Sequence, residues 1–315
     1  AFVGRPLSLI AESDQNDPRT ITSREAGGVG MTGQWSDDFH HALLANLTGD
    51  SSGYYADFAS LEALAKVFES GFFHDGIFST FRGRRHGRRL DTARTPAWRL
   101  VVCSDNHDQI GNRADGRRLA RTLTTDQLII AAALTLLGPF TPMIFMGEEW
   151  GAATPFMFFS AHPEPALAEA VIKGRAEEFR KMEWGDVDVP DPQALPTFTG
   201  SMLDWAEVGA GDHGRLLAAY QELIRLRRSW PDLTDPRFDR TTVTRDPAGR
   251  WLMVARGEEL AIVANLGVAA VSVPLAGRAA TLFRSGELDL DVDGQRRHVL
   301  RMGPWSVALL KQMHK

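Results

Sequence analysis

The sequence predicts an α/β region of parallel βα units followed by an all-β region, on three observations. Short apolar runs recur at Leu7 to Ala11, Arg99 to Cys103 and Met143 to Met146, with a weaker one, GVGMTGQW, ending at Trp35. Helical patterns lie between them, as in a parallel sheet built from crossovers. From about Thr241 the chain turns into short runs such as WLMVARG, LAIVANLG and VSVPL, broken by Gly, Pro, Asn and Asp. That texture is all-β. The division is drawn after residue 235, giving regions 1–235 and 236–315.

Each element has its own pattern. Leu7 to Ala11 reads as a strand buried on both faces. Between Tyr54 and Phe73, the residues Leu61, Leu64, Phe68 and Phe72 share one helical face. Thr125 to Leu137 is apolar nearly all round, which predicts a deeply buried helix. The apolar stretch continues to Gly147 and is about long enough to span a bilayer. Gly138, Pro139 and Pro142 interrupt it, so a helix followed by a strand is the expectation. Leu216, Leu217, Tyr220, Ile224 and Leu226 form a last amphipathic stripe, closed by Trp230-Pro231. The segment from Pro155 to Met202 reads as an irregular excursion.

Composition excludes several classes. With 315 residues, 43% hydrophobic and 24% charged, the chain has the make-up of an ordinary globular protein. A net charge of -5 argues against nucleic-acid or membrane-surface binding, which calls for basic faces. The basic run RGRRHGRR, Arg82 to Arg89, is read as a solvated loop flanking a cleft. One cysteine, Cys103, excludes an internal disulfide framework and is expected to be a core thiol. No calcium-loop spacing and no HExxH motif occur, so neither a metal nor a cofactor is expected. No signal peptide is visible in a sequence that begins at Ala1, and a cytoplasmic location is expected.

The chemistry sits after the strands. LSLIA is followed by Glu12 to Asp17, MTGQW by Ser36, Asp37 and Asp38, RLVVC by Ser104 to Gln109, and MIFM by Gly147 to Trp150. In a parallel barrel the C-terminal strand ends are where loops converge into an active site. Helix capping would also place Ser or Asp at such positions. Carboxylates, amides and aromatic rings without a phosphate loop suit a neutral, polyhydroxylated ligand. Glycoside hydrolysis needs two carboxyl groups, one of them protonated.

At LIAESDQND, QWSDDFHHAL, CSDNHDQIGNR and MIFMGEEWG the sequence resembles the later conserved regions of the α-amylase family of glycoside hydrolases and transglycosylases. Within it, the resemblance is to members that release trehalose from malto-oligosyltrehalose and related α-glucans. It implies the C-terminal part of a (β/α)8 TIM barrel followed by an all-β sandwich domain. It also implies roles. Glu12 matches the general acid/base, expected to be partly buried beside other carboxylates. Asp108 matches the transition-state stabiliser, with His107 and Asn106 donating to hydroxyls of the same sugar. Trp35, Asp37, Phe39, His40, Gln109, Arg113, Glu149 and Trp150 would line neighbouring subsites. Phe39 and Trp150 could equally be core, and Asp37 a helix cap.

One part is missing from the pattern. The family's nucleophile is an Asp on the preceding strand, roughly 30 residues upstream of its acid/base. Only 11 residues precede Glu12, and none is acidic. The upstream half of the same barrel is therefore the expected partner. A glucan branching transferase and a non-catalytic glucan-binding module are the alternatives.

Overall fold

The computed structural model describes residues 4–181, 189–295 and 297–313. They form two compact units. One comprises Ala1–Ser104, Ile129–Met143 and Ala219–Lys315, the other Asp105–Leu128 and Ile144–Ala218. The strands after Thr241 share the first of these units with the first 104 residues.

Four short strands build the first unit's parallel sheet: β1 (Ile10–Ala11), β2 (Gly33–Trp35), β5 (Leu100–Val102) and β6 (Thr141–Pro142), in the order β1-β2-β5-β6. Ile10 pairs with Gly33, Gln34 with Leu100, and Val101 with Thr141, all parallel. The C-terminal ends of all four strands thus lie along one edge. Between β2 and β5 run α1 (Asp37–Thr48), α2 (Leu61–Ser70) and a small hairpin of β3 (Phe78–Ser79) and β4 (Arg84–Arg85). The α1 and α2 helices meet through Phe39 and Phe68, whose ring centroids are 5.6 Å apart, and Phe140 packs 5.9 Å from both.

Two expectations are corrected here. The Leu7 to Ala11 run is not buried on both faces, since Leu7, Leu9 and Ile10 are all more than half exposed. The reason is position: β1 is an end strand of its sheet and has one neighbour among the described residues. Nor is Met143 to Met146 a strand. Pairing with Val101 and Val102 is taken by Thr141 and Pro142, Met143 N–H donates once more to Val102 O, and the chain then leaves the sheet.

The remaining helices are α3 (His107–Gly111), α4 (Thr125–Leu137), α5 (Pro165–Lys181), α6 (Leu195–Thr199), α7 (Gly211–Ser229) and α8 (Pro231–Thr234). The α4 span is the one its uniform apolarity predicts, and Ile129 to Leu137 are buried. The segment from Pro155 to Met202 is not all irregular: it contains α5 and α6. Arg227 of α7, largely buried, donates to the carbonyls of Leu136, Gly138 and Phe140 and so closes the open end of α4.

Strands β7 (Thr241–Asp246), β8 (Trp251–Arg256), β9 (Leu260–Asn265), β10 (Val271–Pro274), β11 (Ala279–Ser285), β12 (Leu288–Val292), β13 (His298–Met302) and β14 (Ser306–Gln312) complete the chain. They form an antiparallel five-stranded sheet, β11-β14-β9-β8-β7, and a three-stranded one, β10-β13-β12. Trp251, Val263, Ala308 and Leu310 from the first share a core with Val273, Leu300 and Met302 from the second. Apolar residues at alternate positions of both sheets thus face each other, the pattern of sheet-on-sheet packing.

Gly71 ends α2 with φ +82°, and a Cβ there would stand 2.6 Å from the Leu100 side chain of β5. Gly71→Ala should therefore destabilise the protein by about 1–3 kcal/mol, from overpacking plus backbone strain. A urea titration that gives an unchanged midpoint would contradict this.

Candidate active site

The loop after β1 carries Glu12, which is exposed rather than partly buried as expected. Its neighbours along the loop are tied down. Asn16 is 1% exposed and holds the left-handed conformation, φ 50°, while its amide donates to Asp38 Oδ2 at 2.8 Å and His74 O at 3.1 Å. Asp14 pairs with Arg82 at 2.5 Å, and its carbonyl lies 2.8 Å from His86 Nε2. Asp17 caps the turn Pro18–Thr20 and pairs with Arg19. The basic run is thus not simply solvated: Arg82, His86 and the Arg88 N–H, which donates to Asn16 O at 2.9 Å, all grip this loop.

After β2, Trp35 and Asp37 are partly buried, with Asp37 in the first turn of α1. Phe39 does not line a subsite. It is fully buried in the aromatic cluster with Phe68 and Phe140, because the first inward position of α1 faces α2. His40 is also buried, its ring against those of His41 and Tyr55.

The other unit carries the second group. Its loop after β5 leads into α3, where His107 and Asp108 are exposed and Gln109 and Arg113 partly so. Asn106, 1% exposed, accepts from the Asp108 and Gln109 N–H groups through Oδ1 and so caps α3. Asp108 Oδ1 accepts from Asn112 Nδ2 at 2.5 Å. Asn112 Oδ1 in turn accepts from Arg175 at 2.9 Å, and Arg175 also donates to Gly111 O while its guanidinium lies 4.7 Å from the Phe158 ring. Asp108 is therefore oriented through Asn112 by a nearly buried arginine of α5. The sequence carried no signal for Arg175, which falls inside the segment read as irregular.

Glu149 accepts from the Gly147 N–H at 2.9 Å and is partly buried. Trp150 is buried, its indole 5.2 Å from that of Trp205, so the solvent-facing ring of this pair is Trp205, at 71% exposure. Arg118 organises this loop: its Nε donates to Thr154 O at 2.6 Å and its Nη1 to Met146 O at 2.8 Å. Beside it, burial pushes the Asp105 carboxyl up to about 7, outweighing the Leu119 N–H and the charges of Arg113 and Arg118. Among the described residues no group of three or more His, Cys, Asp or Glu is placed to hold a metal ion. Nor is any described helix long and apolar enough to cross a membrane.

Comparison with known proteins adds the family context. Residues 236–309 match the model of a domain of unknown function, DUF3459. The chain is 53% identical over 288 residues to a malto-oligosyltrehalose trehalohydrolase of Rhizobium sp. (strain M-11), covering 91% of this chain and 48% of that protein. It is 49% identical over 308 residues to a protein of the same name from Brevibacterium helvolum, covering 98% and 51%. The chain is homologous to the malto-oligosyltrehalose trehalohydrolases. It spans about half the length of these relatives. Among solved structures, a Salmonella typhimurium protein assigned as an alpha amylase superposes with a TM-score of 0.80 at 31% identity, over 99% of this chain and 52% of the other. The alpha-amylase from H. orenii, at 15% identity and a TM-score of 0.56, shares the fold over 98% of this chain and 54% of its own.

Asp105 gives a sign-definite prediction. Its folded pKa lies above its unfolded one, so the folded state binds the extra proton and stability falls as pH rises from about 4 to about 7. Asp105→Asn should flatten that slope in chemical denaturation. An unaltered slope would show that Asp105 is ionised in the folded protein across this range.

Proposed function

We propose that this protein is a retaining glycoside hydrolase that cleaves the α-1,4 bond next to the terminal trehalose of malto-oligosyltrehalose, releasing trehalose. What carries the reading is the 53% and 49% identity to proteins named for that activity, over at least nine-tenths of the chain. The loop motifs that support it come after parallel strands whose C-terminal ends share one edge. In this reading, residues 1–235 are the C-terminal part of a (β/α)8 barrel and 236–315 its β-sandwich domain. Further strands of the same barrel pair with the outer edge of β6 and with that of β1, where Leu9 and Ile10 stand exposed. A cytoplasmic location is part of the proposal.

Glu12 donates its proton to the glycosidic oxygen as trehalose departs, and later takes one from the attacking water. Asp108, oriented by Asn112, stabilises the positive charge that develops at the sugar, so its carboxylate counts for most in the transition state. Asp14 and Asp17, each paired with an arginine, follow Glu12 on its own loop rather than standing across the bond on a neighbouring strand. The attacking carboxylate comes from a neighbouring strand, as the 5–5.5 Å spacing of a retaining pair requires.

In the intact protein, Glu12→Gln should bind malto-oligosyltrehalose normally and lose about 10²–10⁴-fold in turnover, the usual contribution of a general acid. Asp108→Asn should lower kcat far more than it weakens binding. Full turnover by Glu12→Gln would remove Glu12 from the acid role. A branching transferase would instead leave the number of reducing ends unchanged.

A further inference from the structure

Between the Glu12 loop and the basic strap of residues 73–88 lies a buried charged cluster that neither the sequence motifs nor the relatives' names account for. Asp38, 5% exposed on α1, accepts through Oδ2 from three donors at 2.8 Å: Asn16 Nδ2, Phe73 N–H and His74 N–H. The His74 ring, equally buried, sits between two carboxylates. Its Nε2 is 3.0 Å from Asp57 Oδ2 and its Nδ1 3.9 Å from Asp38 Oδ1. Asp57 also accepts from the Thr80 N–H of the strap at 2.8 Å. The fit is close, since a Cβ at Gly87 would stand 1.9 Å from His74 O and 3.0 Å from Asn16 Cβ.

We propose that Asp38, His74 and Asp57 form a positioning clamp for the Glu12 loop, which fixes it through Asn16 while His74 is protonated and loosens it when that proton leaves. The clamp rests on the reading of Glu12 as acid/base only for its effect on turnover. Its effect on the loop stands alone.

The charges around His74 favour the imidazolium. Burial opposes the charge, but Asp38 and Asp57 outweigh it and His74 is held above its ordinary pKa. Asp38 is buried and Asp57 partly so, yet their hydrogen bonds and the His74 charge hold both below the usual range. The other ionisable neighbours are His41 of α1, pushed down to about 4 chiefly by burial, and His86, also lowered, chiefly by burial. Arg82 and Asp14 form an ion pair, and Lys66 of α2 binds Asp75 and Phe73 O. A folded pKa above the unfolded one makes the His74 contribution full below about 6.5 and lost as pH rises through the raised value. The two carboxylates contribute above their unfolded range and lose it only in acid.

The test is made on the intact protein. Hydrogen-exchange protection factors for Glu12 to Asp17 and the Arg88 N–H are measured against pH, beside the His74 imidazole resonance. Protection should fall as His74 deprotonates, and His74→Gln should be unprotected and pH-independent. The same variant should lose about ten- to a hundredfold in kcat with little change in KM, the scale of a slightly misplaced catalytic group. Should His74→Gln fail to fold, Asp57→Asn removes one of the groups that raise the His74 pKa. It should move both the loss of protection and the alkaline limb of the rate profile to lower pH. Loop protection that ignores His74 titration, or an alkaline limb unmoved in Asp57→Asn, would overturn the clamp. If protection follows His74 while Glu12→Gln retains turnover, the clamp stands and the acid/base assignment has failed.

Discussion

Four strands of two or three residues each, paired in parallel, are the constraint on which the rest of the first unit depends. Parallel pairing puts the four loop-bearing ends along one edge, but ladders this short contribute few hydrogen bonds to hold the loops in place. The loops are fixed by other means. Buried or partly buried charged side chains take their backbone groups: Asp38 for the strap, Arg99 for the carbonyls of Ile21, Met31 and Thr32, and, in the other unit, Arg118 for those of Met146 and Thr154. Each replaces water at polar groups that would otherwise be costly to bury.

This division of labour explains why the exposed and buried members of each motif behave differently. In SDNHDQ, Asp105 and Asn106 are interior and shape the turn, while His107 and Asp108 reach solvent. In WSDDFHH, Asp38, Phe39 and His40 are interior and Asp37 is only partly covered. A motif that reads as one cluster of chemistry is, in the fold, a scaffold with one or two presented groups. The support reaches far along the chain. Asp108 is held through Asn112 by Arg175, 63 residues beyond Asn112, on a helix that lies outside the named motifs in sequence.

Local pattern revealed the strand–helix alternation, the α4 span and the change of texture near Thr241. Those features are written in periodicity and turn residues. It failed where tertiary placement decides. Leu9 and Ile10 are apolar yet exposed because β1 ends its sheet. Phe39 is core because α1 turns it onto Phe68. The roles of His74, Asp57 and Arg175 come from contacts with residues at least 17 positions away, which no local spacing encodes. The basic run misled for a related reason: its partners, Asp14 and Asn16, lie some 70 residues earlier.

The measurement that bears most directly on the proposed activity is proton NMR of the first products formed by the intact protein from malto-oligosyltrehalose. A retaining cut beside the trehalose unit yields free trehalose together with a malto-oligosaccharide whose new reducing end is initially the α anomer, mutarotating only afterwards. The β anomer appearing first would contradict the retaining mechanism. Glucan products without free trehalose would contradict the substrate assignment.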